Sequence, residues 1–389
     1  MEGPMINHYT DGKTEGSLPA RMKAAKFNWK SPNGICLGSS RCPQKVSSGC
    51  LKPGTAIVRI EAAGVNPVDA KFIIGDKLPE SWLKFANKRV TGYIPGFDFS
   101  GVIVKSSDPE YSPGDEVFGL AVDPAGIGAG KGFRGSFAEF ASVPVSQLSK
   151  KPTKVNHEQA AALPLVGTTC LQAFDQHGLK EGQRLLVIGA SGGVGHVAVQ
   201  VAAAMNVSVT GVCSSRNIDF VKDCGAIAVI DYSKGDVIEN LEQEASANGK
   251  FDMVLDCVHS ADSRDREAGY YARISKNGNI IRSYKEKGTD KHNYVVLGGS
   301  TTQFLKAALK RFHFGNYFKK GFELFWINMP KSKSSLDRLS KLCNDGKLVP
   351  KVDALLPFTE KGCQEAFASL QGRKTAGKIV IQIGQSSKI

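Results

Sequence analysis

Gly189 to Gly195 reads GASGGVG, and its glycines, three of them at intervals of three residues, form a turn that can lie flat against an anion. The five residues before it, Arg184 to Ile188, are an apolar β-run, and an alanine- and valine-rich helical stretch follows. Glycines at a strand-to-helix turn let backbone approach a pyrophosphate, and the helix start offers free N–H groups and a positive dipole end. The strand before and the helix after are the context that makes this motif a dinucleotide site rather than a chance glycine turn. Gly189, Ser191, Gly192, Gly193, Val194 and Gly195 are therefore the candidate pyrophosphate residues.

The elements that position this turn repeat down the chain. Strands are expected at Arg184–Gly189, Ser208–Cys213, Ile227–Tyr232 and Phe251–Val258, separated by helical stretches, which predicts a parallel α/β sheet. The next strand is either 278–284 or 293–299, with the charged stretch between them an insertion, and 322–329 closes the sheet. Before residue 150 the pattern is mostly β, with strands at 22–27, 55–65, 93–104, 115–121 and 135–144. Ala160 to Phe174 is an apolar helical stretch with Pro164 near its centre, expected to connect two domains. The tail from Leu348 to Ile383 returns to β character. The boundaries read 1–21 as a disordered lead-in, 22–150 and 346–389 as one mostly-β domain, and 151–345 as the cofactor domain.

The chain has 389 residues, 41% hydrophobic and 22% charged, enough for two globular cores. It has no apolar run of transmembrane length, and its first residues read as neither a secretory signal nor a transit peptide. Nine cysteines at irregular spacing, with no CxxC, fit free thiols in a reducing compartment. Cys36, Cys42 and Cys50 are close together but lack metal-ligand spacing. The net charge of +13 exceeds what cofactor phosphates require. Lys306 to Lys320 mixes basic and aromatic residues, as a solvated helix end or as a peripheral membrane contact.

Eight motifs occur together in order: 63–69 (AGVNPVD), 95–101 (PGFDFSG), 113–119 (PGDEVFG), 135–140 (GSFAEF), 163–170 (LPLVGTTC), 189–195, 229–232 (VIDY) and 375–380 (TAGKIV). The set resembles the medium-chain dehydrogenase/reductase superfamily, in its zinc-independent quinone oxidoreductase branch, over nearly the whole chain. It is most similar to the chloroplast-envelope quinone oxidoreductase and alkenal reductase type. The resemblance implies a Rossmann doubly wound parallel sheet with a GroES-like, mostly-β catalytic domain. Zinc alcohol dehydrogenases of this superfamily hold metal on a Cys, a His-Glu pair and a second Cys or Asp. Those places here are Asn66, Phe97-Asp98 and Leu165, so no metal is expected. Reduction of a conjugated acceptor needs less electrophilic help than alcohol oxidation, since charge spreads to an enolate or hydroquinone oxygen.

The second strand bears on the cofactor. NAD enzymes end it with an acidic residue for the ribose 2′-hydroxyl. Here Ser214, Ser215 and Arg216 follow Cys213 without a carboxylate, and Arg216 can pair with a 2′-phosphate. NADPH is the expected cofactor. Tyr232 matches a family tyrosine at the phosphate, or else simply caps its strand. The resemblance places Asn66, Asp69 and Thr169, with Thr168, at the catalytic cleft; otherwise Asn66 to Asp69 is a turn and helix cap, and the threonines are packing residues. Lys77 is a candidate proton donor beside water, and His259 either nears the nicotinamide ribose or lies in a solvated loop.

The expected activity is NADPH-dependent reduction of quinones or α,β-unsaturated carbonyls without zinc. Enoyl-thioester reduction is an alternative, although Gly75 to Lys77 carries none of the tyrosine that enoyl-thioester reductases use. A second alternative is an NADPH-binding protein without turnover, acting at a membrane or nucleic acid. The expected partners are a small quinone, enal or enone; peripheral membrane association and a homodimer are admitted, and nucleic acid is not expected. The expected location is cytoplasmic, with the plastid envelope or another organelle as the alternative.

Overall fold

The structure is a computed structural model; the residues it describes are 18–28, 30–31, 34–43, 51–71, 92–121, 134–258, 269–275, 277–286, 289–297, 323–324, 327–372 and 374–384. Strands β1 (Arg21–Phe27) and β2 (Ile35–Arg41) form an antiparallel pair. The 11-residue strand β3 (Thr55–Val65) ends in helix α1 (Pro67–Lys71). Strands β4 (Asp98–Ser106), β5 (Glu116–Leu120), β6 (Phe140–Pro144) and β7 (Leu148–Lys150) complete the first β region. The expected strand at 135–144 begins only at Phe140; before it, Arg134 and Ala138 make isolated bridges to Ile94 and Ala24.

Two helices replace the single one expected over 160–174. Helix α2 (His157–Ala161) starts at a capping box between Asn156 and Gln159, and α3 (Pro164–His177) follows. Pro164 stands at the start of α3, where its missing N–H costs nothing and its fixed φ suits the first turn.

From here the chain alternates. Strand β8 (Arg184–Ile188) leads through the glycine turn into α4 (Gly193–Ala204), then β9 (Ser208–Cys213), α5 (Ile218–Asp223), β10 (Ala228–Asp231), α6 (Val237–Asn248) and β11 (Met253–Asp256). All five residues of β8 are buried, as expected for a strand covered on both faces. After α7 (Tyr270–Ile274), the hairpin β12 (Ser283–Glu286) and β13 (Thr289–His292) precedes β14 (Tyr294–Val296). So 293–299 supplies the sheet strand. The 278–284 segment contributes only an Ile281–Phe251 bridge and one arm of the hairpin. Strand β15 (Glu323–Leu324) pairs with β14.

Helix α8 (Ser332–Asn344), strand β16 (Val352–Pro357), helix α9 (Glu360–Gly372) and strand β17 (Lys378–Gln382) end the chain. The tail is thus β-α-β rather than β alone. Cys363, Ala366 and Phe367 of α9 are buried at helical spacing, against the same core as β1 and β3.

The six-stranded sheet has the order β10-β9-β8-β11-β14-β15, all parallel. The order reverses between β8 and β11, the switch point at whose carboxyl ends such sheets bind ligands. The seven-stranded sheet runs β16-β17-β3-β4-β5-β7, with β6 also on β3. It is antiparallel except for β16 on β17. This is the doubly wound sheet beside a mostly-β unit that the motifs predict. Among the described residues no helix is long and apolar enough to cross a membrane.

Candidate active site

The glycine turn sits at the switch point. Gly189 has φ +79°, a conformation L side chains rarely adopt, and a Cβ there would lie 2.5 Å from Val258 just past β11. A Cβ on Gly195 would lie 2.2 Å from the Gly189 carbonyl oxygen, so only glycine lets α4 start this close to β8. Gly192 caps α4 without any side-chain hydrogen bond, and the first-turn N–H groups have no partner within the helix. Val194 packs on the adjoining core. These features fit a pyrophosphate at the helix start.

His196 fixes this helix from behind. It is fully buried; its Nδ1 lies 2.9 Å from the Gly192 carbonyl oxygen, and its Nε2 accepts from the Lys351 backbone N–H at 3.2 Å. The second bond makes Nε2 an acceptor, so Nδ1 carries the proton. Burial holds the ring down to about 4 and keeps it neutral.

Next to the turn, Asn217 Nδ2 donates to Ser191 Oγ at 3.0 Å and to Ser214 Oγ at 3.3 Å, tying the glycine loop to the end of β9. Arg216 donates to the Lys374 carbonyl at 3.0 Å. Ser215 donates to Asp231, the last residue of β10, and Ser233 donates to the same carboxylate at 2.6 Å. These hydroxyls hold the Asp231 carboxyl down at about 2. The Tyr232 side chain is exposed beside them. The four residues expected at the 2′ end, Ser214, Ser215, Arg216 and Tyr232, thus gather at the ends of two neighbouring strands. A carboxylate from the third strand, unassigned from sequence, stands among them.

A buried polar cluster lies where β17, β3, β4 and α3 meet. Lys378 Nζ donates to the Val65 carbonyl at 3.0 Å and to Asn66 Oδ1 at 2.6 Å, and pairs with Asp98 Oδ2 at 3.2 Å. Asn66 Nδ2 also donates to Asp98 Oδ2 at 2.9 Å, and the Leu165 N–H donates to Asp98 Oδ1 at 2.7 Å. Burial pushes the Asp98 carboxyl up, opposed by Lys378 and by these donors. Asp69 accepts the Asn66 N–H at 2.7 Å; burial pushes its carboxyl up to about 8, so it carries a proton at neutral pH. Among the described residues its other oxygen is buried with no hydrogen-bond partner, as is Thr168 Oγ1. Thr169 Oγ1 donates to the Leu165 carbonyl of its own helix at 2.6 Å. The cluster adjoins the glycine turn: Gly377 N–H donates to the Ser191 carbonyl at 3.0 Å, and a Cβ on Gly193 would touch Lys378 Cδ at 3.1 Å. Asn66 and Asp69 are therefore brought beside the cofactor turn, while the Thr169 hydroxyl is spent on its helix. Lys77, His259, Cys50 and the Lys306–Lys320 patch lie outside the described residues.

Residues 52–153 match the alcohol dehydrogenase GroES-like domain family, and residues 224–381 the zinc-binding dehydrogenase family. The human mitochondrial NAD(P)H oxidoreductase RTN4IP1 is 30% identical over 344 residues, 85% of this chain and 82% of the relative. The chain belongs to the medium-chain dehydrogenase/reductase superfamily, in its quinone oxidoreductase-like branch. A 2-methylene-furan-3-one reductase from Solanum lycopersicum is 28% identical over 375 residues, 95% of this chain and 81% of the relative. The structure of a quinone oxidoreductase from Coxiella burnetii superposes with a TM-score of 0.67 at 25% identity, over 94% of this chain and all of that one. The chain is thus an oxidoreductase of this superfamily.

Within the superfamily, the cluster explains why this chain does not fit a catalytic zinc. Phe97 and Leu165 offer no ligating atom. The side-chain oxygens of Asn66 and Asp98 already face the Lys378 ammonium, a cation that a metal would have to displace. Lys378, His196 and Asp231 were not singled out from sequence. Lys378 and Asp231 lie inside the motifs at 375–380 and 229–232, but their partners are 312 and 16 residues away. His196 carries no signal beyond its place after the glycines.

Proposed function

We propose that this protein is an NADPH-dependent reductase of quinones or α,β-unsaturated carbonyls that works without zinc. The observation that carries the reading is the buried Lys378–Asp98–Asn66 triangle set directly against the glycine turn. It supplies an internal cation and a cleft wall, and it leaves no open coordination position for activating an alcohol. Reduced nicotinamide supplies the hydride.

Gly189 to Gly195 and the N-terminus of α4 hold the pyrophosphate. Ser214, Arg216 and Tyr232 face the 2′ end. Asn66 and Asp69 form the wall of the catalytic cleft beside α3, whose Leu165 N–H holds Asp98 and whose Thr169 hydroxyl is spent on its own helix. Asp69 holds its proton at neutral pH, so it adds no negative charge where a reduced acceptor gains one. Names among the relatives and solved structures support the substrate class: one reduces a furanone, and one is a quinone oxidoreductase. The expected location is cytoplasmic, although the human relative is mitochondrial. Turnover of NADPH with 1,4-benzoquinone, a 2-alkenal or an enone tests the proposal. Tight NADPH binding with no turnover on any of them would refute it.

A further inference from the structure

The end of β9 lacks a carboxylate, but the crevice does not. Strand β10 lies parallel to β9 in a register that sets Asp231 beside Cys213. The carboxylate therefore stands next to the residues that begin the Ser214–Arg216 loop, one strand over from where NAD enzymes place theirs. Three hydrogen bonds hold it there. Ser233 Oγ donates to Oδ1 at 2.6 Å, the Ser233 N–H donates to the same oxygen at 2.9 Å, and Ser215 Oγ donates to Oδ2.

Each hydroxyl has one proton. Ser215 and Ser233 also lie 2.9 Å apart, but a bond to an ionised acceptor is stronger than one between two neutral hydroxyls. Both protons therefore go to Asp231, and the lone pairs of both serines are left for a ligand. That arrangement can accept a hydrogen bond from a ribose hydroxyl. It offers nothing to a phosphate, which needs donors, and the Asp231 charge repels it. The donors for a phosphate are the Ser214 hydroxyl, Arg216 and Tyr232. The only cation within salt-bridge distance of Asp231 among the described residues is Lys234, whose Nζ stands 3.9 Å from Oδ2 on a mostly exposed side chain. The subsite thus combines acceptors on one side with donors on the other.

We propose that Asp231 is a specificity-determining residue: with Ser215 and Ser233 it lets the site accept a free ribose 2′-hydroxyl, so the protein uses NADH as well as NADPH, and its charge limits the NADPH preference. This rests on the reading of Ser214 to Arg216 as the 2′ end. It turns the simple absence of an acidic residue on β9 into a balance between Arg216 and a carboxylate on β10.

Equilibrium binding of NADPH and NADH to the full chain, followed by nicotinamide fluorescence, tests it in the wild type and in Asp231→Asn. Asparagine keeps the shape and one acceptor oxygen but removes the charge. The expected result is that the wild type binds both cofactors. D231N should tighten NADPH about tenfold, the scale of one unit charge at a partly screened site, and weaken NADH by about threefold or more as the serines lose the acceptor that orients them. An unchanged or weakened NADPH affinity in folded D231N would overturn the proposal and make Asp231 a holder of the serines only. If D231N does not fold, competition by 2′,5′-ADP and 5′-AMP on the wild type decides. Affinities within about tenfold support the proposal, and a larger preference for 2′,5′-ADP overturns it. Failure of the wild type to bind either dinucleotide would instead remove the functional reading on which this inference rests.

Discussion

The ammonium of Lys378 lies 3.2 Å from Asp98 Oδ2, and the two side chains are 4% and 0% exposed. They are 280 residues apart in sequence. Lys378 opens β17 and Asp98 opens β4, so the pair ties the cleft wall to the strand that touches the glycine turn. Removing one partner of a buried pair leaves an uncompensated charge, which is more damaging than losing both. Lys378→Met should therefore cost about 3–5 kcal/mol in denaturant unfolding, and Lys378→Met with Asp98→Asn should recover part of it. A single-variant loss below about 1 kcal/mol would show that the pair does not brace the cleft.

Asp69 gives a pH signature of unusual sign. Its carboxyl is pushed up to about 8 in the fold, above its unfolded value, so the folded state binds the extra proton. Its contribution is fully present below about pH 4 and is lost as pH rises through about 8. Asp69→Asn, which stays neutral, should be less sensitive to alkali, with the difference approaching about 1.4 kcal/mol per pH unit inside that window. Unfolding curves at pH 5, 6.5 and 8 measure it; parallel trends in the two proteins would contradict a buried neutral acid.

His196 has the opposite dependence. Its ring is held down to about 4, so the unfolded chain takes up the proton first. Its contribution is intact above about 6.5 and is lost as pH falls toward 4. His196→Gln should flatten the acid side of the stability profile. It should also weaken dinucleotide binding, because the Gly192 carbonyl at the cap of α4 loses its anchor. Unchanged cofactor affinity in the folded variant would separate His196 from the turn.

Gly195→Ala places a methyl 2.2 Å from the Gly189 carbonyl oxygen and 2.7 Å from Ala190 Cα. Backbone must move, at a cost of about 1–3 kcal/mol, and the displaced helix start should lose dinucleotide affinity by well over tenfold. Gly192→Ala meets only the Gly189 oxygen at 3.4 Å and should fold normally. Equal binding by both variants would rule out the tight turn as the reason for glycine.

What was legible in the sequence was local. The run Arg184 to Gly195 is strand, turn and helix in consecutive residues, and Asn66 to Asp69 announces its own turn. Two helices around Pro164 instead of one follow from a rule for helix starts that applies once the cap at Asn156 is known. Helix α9 hides between two strands, although Cys363, Ala366 and Phe367 carry its period. The Lys378 triangle and the Asp231 cluster were not readable, because each joins segments that only the sheet order brings together. For the same reason the missing carboxylate after β9 was half of the relevant fact. The other half comes from its neighbour β10.

Zinc-independent reduction of a conjugated acceptor is tested by steady-state NADPH oxidation with 1,4-benzoquinone, 9,10-phenanthrenequinone and a 2-alkenal, each repeated with NADH and with a chelator present. The expected result is turnover of at least one acceptor by NADPH, undiminished by the chelator. No turnover of any acceptor by protein that binds NADPH, or activity abolished by the chelator and restored by zinc, would contradict it.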